Sequence, residues 1–588
     1  MSKGTAATQV KAFLLTYWLK LYRLNFFVAL LISIVLFMAA GNLGLKALQQ
    51  TALHQGRYKP TSHLELFRFF MRAELIRFRV AVTAPLPLTD AESPLMTYHI
   101  SIKEGDYSKL TANLPKSGKE RYYNAYMRVG GGEKVQKIKL RFRGDNNFHW
   151  FYPQKSLRIK TEKDEIHNLQ RSFNLINAPE DKFIVDIVTY EAARKLGIIA
   201  PDFYPARVFL NGTYMGVYLY LSQADESLIR KHKRMPGSIY SGDLAPTNKT
   251  TGVSLLWFKQ RFWIKKGARN AEQKKNREDI VHLIKAVQEF DDLEFYEFAR
   301  TLINKEAFYN FFAIDTLTGS PHHDYGHNHK IYFDPYLGKF EPIEWDIRAW
   351  STPNWKENFG NPLLNRFVLN PILEFERDQV LFKVLNSDAF SVEARQSRVD
   401  YHNQLFYEDL RRDIYKDDAM VKPEVSYKHV STPYTMQQHE KMIRRVKVAA
   451  KSRTHKVLRI LKSAKGSYLI KPQGRHAQVI FQLQGNSPIY VDLKSGFAVD
   501  SKAKIYRDLN FNGRLEAIEK NTLFDSGKEI LYPGRLKQKG TRIKGASKQM
   551  SGDYYIKEAP LYYSYIVTGA VSAPAEIAGT NAITGAKL

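Results

Sequence analysis

The sequence predicts an α+β protein with a single N-terminal transmembrane helix, a two-lobed central region and a small C-terminal β domain. Three observations predict this. One uncharged apolar run stands near the N-terminus. Alternating, strand-like segments come next and longer stretches of helical spacing follow them, an order that fits α+β rather than a doubly wound sheet. Beyond about residue 465 the pattern changes to short strands and turns.

The chain has 588 residues, too many for one ordinary domain. Hydrophobic residues make up 44% and aromatics 13%, which supports real cores and excludes a disordered chain. Lys and Arg number 88 against 59 Asp and Glu, a net charge of +29. Such an excess points to an anionic partner: nucleic acid, acidic polysaccharide, phosphates or a membrane surface. There is no cysteine, which excludes disulfides and zinc–thiolate centres and accords with a place outside a reducing cytosol.

The apolar run is LNFFVALLISIVLFMAAGNLGL, between Arg23 and Lys46. As a helix it reaches about 33 Å, enough for a hydrocarbon core of about 30 Å. No A-x-A cleavage site closes it, so it reads as a retained anchor over residues 24–45, with residues 1–23 on the cytoplasmic side. Lys3, Lys11, Lys20 and Arg23 precede it and favour the N-terminus in, with the bulk of the chain periplasmic or extracellular on a single-pass inner-membrane anchor. Residues 46–94 form a juxtamembrane segment. Within it HLELFRFFMRAELIRFRVAV suits either an interfacial helix or an amphipathic helix packed on the next domain.

Residues 95–464 form the central domain. MTYHISI, KIKLRFRG and KSLRIKT alternate as strands, with VGGGEKV as a hairpin turn. DKFIVDIVTYEAARKLGI has helical spacing and a Gly at its C-cap. PARVFLNGTYMGVYLYL is a hairpin turned by Asn211-Gly212. Helices run from about Glu278 to Leu317, then PHHDYGHNHKIYF leads into a strand pair ending in IEWD, and helices follow to about Ala464. Residues 465–567 form the small β domain, and the Ala/Gly/Thr-rich residues 568–588 read as a disordered tail.

Asp324, Asn328 and Asp346 carry the chemistry. Phosphoryl transfer requires a carboxylate near the attacking hydroxyl, and an amide oxygen with a second carboxylate to hold magnesium. Kinases place an Asp, an Asn shortly after it and a metal-binding Asp beyond a hairpin, which is the order here. His322, His323, His327 and His329 offer a competing reading as a transition-metal nest.

The region from about Leu95 to Leu461 resembles the CotH kinase family, atypical kinases named after spore coat protein H. The likeness rests on LRFRGDNNFHWFYPQKSLRIK, FNLINAPEDKFIVDIVTYEAARKLGI, VFLNGTYMGVYLY, HHDYGHNHKIYF and FEPIEWDIR, in that order. The resemblance implies a two-lobed kinase-like domain using ATP with Mg²⁺ or Mn²⁺. It implies Asp324 as the catalytic-loop aspartate, Asn328 as a metal-side ligand and Asp346 as the metal-binding aspartate of a Trp-Asp motif. It implies Lys155 as the phosphate-contacting lysine, Arg143 as a second candidate and Glu191 as the helix glutamate pairing with such a lysine. Three positions depart from the family pattern: Arg348 where a second acid is usual, Ser222 where an acid often follows the GVYL strand, and Gln154 in place of a lysine.

DLNFNGRLEAIE, Asp508 to Glu519, fits the EF-hand loop template. Asp508, Asn510 and Asn512 take positions 1, 3 and 5, Arg514 offers a backbone carbonyl, Glu516 ligates directly or through water, and Glu519 closes the loop for Ca²⁺. The bland alternative is an Asn-Gly turn.

The resulting expectation is a membrane-anchored, CotH-like atypical kinase that transfers a nucleotide γ-phosphate to a protein or glycan hydroxyl. The alternative is a non-catalytic, kinase-like envelope scaffold that binds an anionic polymer or an exopolysaccharide-assembly partner. The anchor and the calcium loop argue against nucleic acid as the partner.

Overall fold

The computed structural model describes residues 4–54, 62–83, 85–144, 149–150, 154–177, 184–242, 255–267, 271–320, 322–323, 328–347, 350, 361–415, 436–493, 503–523, 528–539, 554–559, 561–568 and 579–588.

The chain begins with α1 (Gly4–His54), a continuous helix of 51 residues. Its stretch Ala12–Gln49 is long and apolar enough to cross a membrane, and its most apolar window is entirely unburied. Toward its end Leu43, Ala47 and Thr51 are buried. There α1 packs on α2 (His63–Thr83), where Phe70 and Glu74 are buried. Ala47 and Phe70 join the core of the next domain, so of the two readings of this helix the packed one holds.

Seven strands close into a barrel of order β1-β2-β3-β4-β5-β7-β6. They are β1 (Met96–Ile102), β2 (Tyr123–Val129), β3 (Val135–Phe142), β4 (Leu157–Thr161), β5 (Ser172–Ile176), β6 (Phe203–Leu210) and β7 (Thr213–Ser222). Helices α3 (Glu104–Thr111) and α4 (Lys116–Glu120) follow β1, and α5 (Val185–Lys195) links β5 to β6. β1 pairs in parallel with β6, which closes the ring. The β6–β7 hairpin turns at Asn211 and Gly212, with φ of 49° and 79°. That backbone is the left-handed pair that two-residue hairpins favour.

The apolar run of β7 has two faces to bury. Tyr218 and Tyr220 belong to the barrel core, while Val217, Leu219 and Leu221 belong to the larger helical core. A strand covered on both sides reads as a continuous hydrophobic run, as this one does. Gly216 sits at φ 89°, and a Cβ there would lie 2.2 Å from Asp413 Oδ1. Asp413 in turn accepts the Val217 N–H at 2.7 Å. Arg207 on β6 is fully buried and lies 3.3 Å from Asp409.

The helical layer follows: α6 (Glu226–Lys231), α7 (Ala271–Lys275), α8 (Glu278–Gln288), α9 (Asp292–Leu302), α10 (Lys305–Thr318), α11 (Pro362–Leu369), α12 (Pro371–Leu385), α13 (Val392–Arg411) and α14 (Met436–Leu461). α10 is buried from Ala307 to Thr318 and forms its axis. A sheet of order β11-β10-β8-β9 lies beside it, made of β8 (Ser238–Gly242), β9 (Ile264–Lys266), β10 (His329–Asp334) and β11 (Lys339–Pro342). Strands thus gather mostly in one half of the domain and helices in the other, the α+β arrangement expected.

The C-terminal domain holds β12 (Ala464–Gln473), β13 (His476–Gly485), β14 (Ile489–Asp492), β15 (Lys504–Arg507), β16 (Lys528–Leu531), β17 (Gly534–Lys539), β18 (Tyr554–Ala559), β19 (Leu561–Thr568) and β20 (Gly579–Asn581). They form sheets of order β12-β13-β19-β15 and β16-β14-β20 and a β17–β18 ribbon. The expectation of a disordered tail over 568–588 is corrected for its last ten residues. β20 pairs with β14, Asn581 Nδ2 donates to the Leu461 carbonyl at 2.9 Å, and Ile583 enters the helical core. Backbone pairing and burial of one isoleucine order a segment whose composition alone suggests a free tail.

Candidate functional site

Asn328 and Asp346 come together at the two ends of the β10–β11 hairpin. Asn328 directly precedes β10, and Asp346 lies four residues past β11. Asn328 Nδ2 donates to Asp346 Oδ2 at 3.0 Å. Both residues adopt left-handed backbone, φ 58° and 52°. Asn and Asp are the non-glycine types that accept this conformation most readily. Trp350, at φ 78°, has no such excuse and must be held by its surroundings. Its N–H donates to the Thr318 carbonyl at 3.0 Å, and its indole donates to Thr189 Oγ at 3.2 Å.

Helix α5 holds the same segment from the other side. The Asp346 N–H donates to the hydroxyl of Tyr190 at 2.8 Å, and Tyr190 is buried. Burial, reinforced by the neighbouring Asp186 and Asp346 carboxylates, pushes that phenol well above its ordinary range, so it stays a neutral hydroxyl. His322 Nδ1 donates to the Asp346 carbonyl at 2.9 Å and lies 3.2 Å from Asp346 Oδ2. The Asp346 side chain is 31% exposed, reachable from solvent while its backbone is fixed.

Behind this segment lies a buried trio of Asp315, His323 and Glu344, whose ligand-type atoms all fall within 4.8 Å of one another. His323 Nδ1 lies 2.9 Å from both Asp315 oxygens, and Nε2 donates to the Trp345 carbonyl at 2.8 Å. Burial opposes charge on this ring, but the Asp315 carboxylate and its hydrogen bond push the imidazole up to about 9. Burial pushes the Glu344 carboxyl up to about 8, against the attraction of His323. Through the His323 bond to the Trp345 carbonyl, the trio supports the Trp345–Asp346 turn.

The expected nest of four histidines is not gathered into one set among the described residues. His322 faces Asp346, His323 serves Asp315, and His329 packs its ring against Trp257 and Trp263 at 5.1 and 6.1 Å. These three described histidines serve three different neighbours. His327, Asp324 and Arg348 lie outside the described residues.

The barrel contributes the remaining candidates. The Arg143 N–H donates to the Ser156 carbonyl at 3.0 Å, so Arg143 and the Lys155–Ser156 segment lie on adjacent chains where β3 ends and β4 begins. Lys155 is 9% exposed. Ser156 is fixed by His149 at 2.8 Å and by the Asn177 N–H at 2.9 Å. Gln154 is fully buried and donates to the Met215 carbonyl at 2.8 Å, a structural use of the position. β5 ends at this same rim of the barrel and leads through residues 178–183 to α5, which carries Tyr190.

One expectation changes. Glu191 does not stand ready for a lysine. Its carboxylate is clamped by Arg398 at 2.8 and 2.9 Å and by His402 at 3.0 Å, a joint between α5 and α13. Despite burial, these cations hold its carboxyl below the usual range. Ser222 is fully buried and accepts the Asp202 N–H at 2.9 Å, so its hydroxyl is committed to the β6–β7 end. Sequence reasoning named His322 and His323 only as part of a histidine nest, and it missed Tyr190, Thr189, Asp315 and Glu344. A lone Asp in the apolar helix KEAFYNFFAIDTLT was the available signal for the trio.

Asp508, Asn510, Asn512, Glu516 and Glu519 lie together in one loop of the C-terminal domain, far along the chain from these groups.

The partly exposed Asp346 carboxylate, with the Asn328 amide donating to it at 3.0 Å, offers hard oxygens of the type that Mg²⁺ takes. No curated protein matches the chain. A family model described as CotH kinase protein matches residues 140–454, more than half of the 588. That span contains the Arg143–Lys155 rim, Tyr190, the Asn328–Asp346 pair and the buried trio, and the chain belongs to the CotH kinase family.

Proposed function

We propose that this chain is a membrane-anchored phosphotransferase that moves a nucleotide γ-phosphate to a protein or glycan hydroxyl. The observation that carries the reading is the Asn328–Asp346 contact, held in left-handed backbone at both residues and braced by Tyr190. Backbone strain of this kind, over-determined by its surroundings, gathers where geometry is functional. The domain is two-lobed in this reading: the barrel offers Lys155 and Arg143 to the phosphates, and the helical half offers Asn328 and Asp346 to the metal. Magnesium held there neutralises charge on the phosphates during transfer. Asp324 orients or deprotonates the acceptor hydroxyl. Tyr190 and His322 keep the Asp346 carboxylate aimed, and the buried trio keeps the turn rigid.

The apolar window of α1 supports a single-pass anchor, and the charge of +29 supports an anionic acceptor or polymer in the envelope. The test uses labelled ATP with Mg²⁺ or Mn²⁺ and the purified chain, with Asp346→Ala as control. Transfer to the chain itself or to an added acceptor, lost in the control, supports the reading. No transfer, together with no nucleotide-induced rise in melting temperature, sinks it and favours a kinase-like envelope scaffold.

A further inference from the structure

The loop Asp508–Glu519 lies outside the family match. We propose that it is a calcium-binding site. Its template match, D-x-N-x-N-G-x5-E, places oxygen ligands at every position a calcium loop uses.

The structure seats this loop firmly on the sheet. Asp508 is 2% exposed. Its Oδ2 accepts from the Gly513 N–H at 3.0 Å, from Gln478 on β13 at 2.8 Å and from Ser564 on β19 at 2.7 Å. Oδ1 of Asp508 and Oδ1 of Asn510 both accept the Asn512 N–H, at 3.2 and 3.1 Å, so two would-be ligand oxygens already converge. Asn512 Oδ1 accepts the Arg514 N–H at 2.7 Å. Glu516 spans the amides of Asn510 and Asn512 at 3.1 and 2.8 Å. Gly513, at φ 71°, makes the turn, and a Cβ there would meet Gln473 Nε2 at 2.5 Å.

Glu519 supplies the independent observation. It is fully buried, and Oε2 accepts the Glu516 N–H at 2.9 Å. Oε1 is buried with no hydrogen-bond donor among the described residues. A buried carboxylate oxygen without a partner is costly, and native proteins rarely leave one. A cation ligated by both oxygens of Glu519 removes that cost. An all-oxygen set with a bidentate carboxylate suits Ca²⁺ rather than Mg²⁺, which demands a tighter octahedron. With neutral Asn at two early positions, the affinity expected is in the extracellular range, about 10⁻⁴–10⁻³ M.

The test titrates CaCl₂ into the full chain in detergent micelles after chelator treatment, following heat of binding and melting temperature. It is done in the wild type and in an Asp346→Asn background, so that metal taken at the phosphotransfer site is separated. The expected result is one calcium per chain retained in that background. Glu519→Gln should weaken it by about tenfold or more, and Asn510→Asp should tighten it by about tenfold, since ligand charge sets affinity. The aspartate substitution removes no buried group, so it answers even if Glu519→Gln does not fold. Absence of binding at millimolar calcium, or an affinity unmoved by Asn510→Asp, overturns the proposal.

Discussion

The hydroxyl of Tyr190 accepts the backbone N–H of Asp346 at 2.8 Å, so a helix packed against the barrel fixes the turn that presents the Asp346 carboxylate. Tyr190→Phe keeps the ring and removes only this acceptor. An unpaired buried N–H costs about 1–3 kcal/mol. The expected outcome is a folded protein with at least about tenfold slower label transfer. The magnesium concentration for half-maximal rate should rise, a shift that a purely structural role would not produce.

The buried trio makes stability depend on pH with a definite sign. His323 in the folded chain is pushed up to about 9, above its ordinary 6.5. Its stabilisation is therefore fully present below pH 6.5 and lost as pH rises through about 9. Glu344, pushed from 4.5 up to about 8, acts in the same sense over that lower window, because the folded chain holds the proton that the unfolded chain releases. Melting temperature should fall from neutral to alkaline pH. His323→Gln should be less stable than wild type at pH 6 and show a flatter profile between 6.5 and 9. Equal slopes in the two proteins would remove His323 from this role.

Gly216 and Asp413 form a contact that tolerates no side chain on the glycine. Gly216→Ala brings a Cβ to 2.2 Å from Asp413 Oδ1 at φ 89° and should destabilise by about 2–4 kcal/mol in urea unfolding. Asp413→Ala leaves the buried Val217 N–H without its acceptor, about 1–3 kcal/mol. Because both changes act on one contact, the double variant should lose less than the sum.

Truncation separates the apolar stretch of α1 from the fold. A chain beginning at Gly41 keeps Leu43, Ala47 and Thr51 against α2 and should remain folded without detergent. A chain beginning at Ser62 loses those contacts and uncovers Phe70. It should melt several degrees lower by calorimetry, since burying an aromatic contributes about 1.5–3 kcal/mol.

Much of the fold is legible because it is local. Asn211-Gly212 announces its hairpin through two positive φ values, and Gly197 at φ 77° ends α5 as its position foretells. HKIYFD and KFEP pair across their turn. Asn328 and Asp346 are legible as a pair through family motif order, and the structure sets them 3.0 Å apart. Glu191 misled because its helix position says nothing of α13. Arg398 lies 207 residues away, and only packing brings its guanidinium to that carboxylate. The tail misled for the same reason: Gly579–Asn581 becomes a strand only because β14 offers an open edge.

By itself the sequence determined the apolar N-terminal helix, the α+β order and the family, since each rests on spacing within a short window. The tertiary structure alone decided that the strands close into a barrel, that the histidines part to separate duties and that Tyr190 braces Asp346. Those facts depend on contacts between distant segments, where burial and unpaired polar groups, rather than local preference, set the free energy.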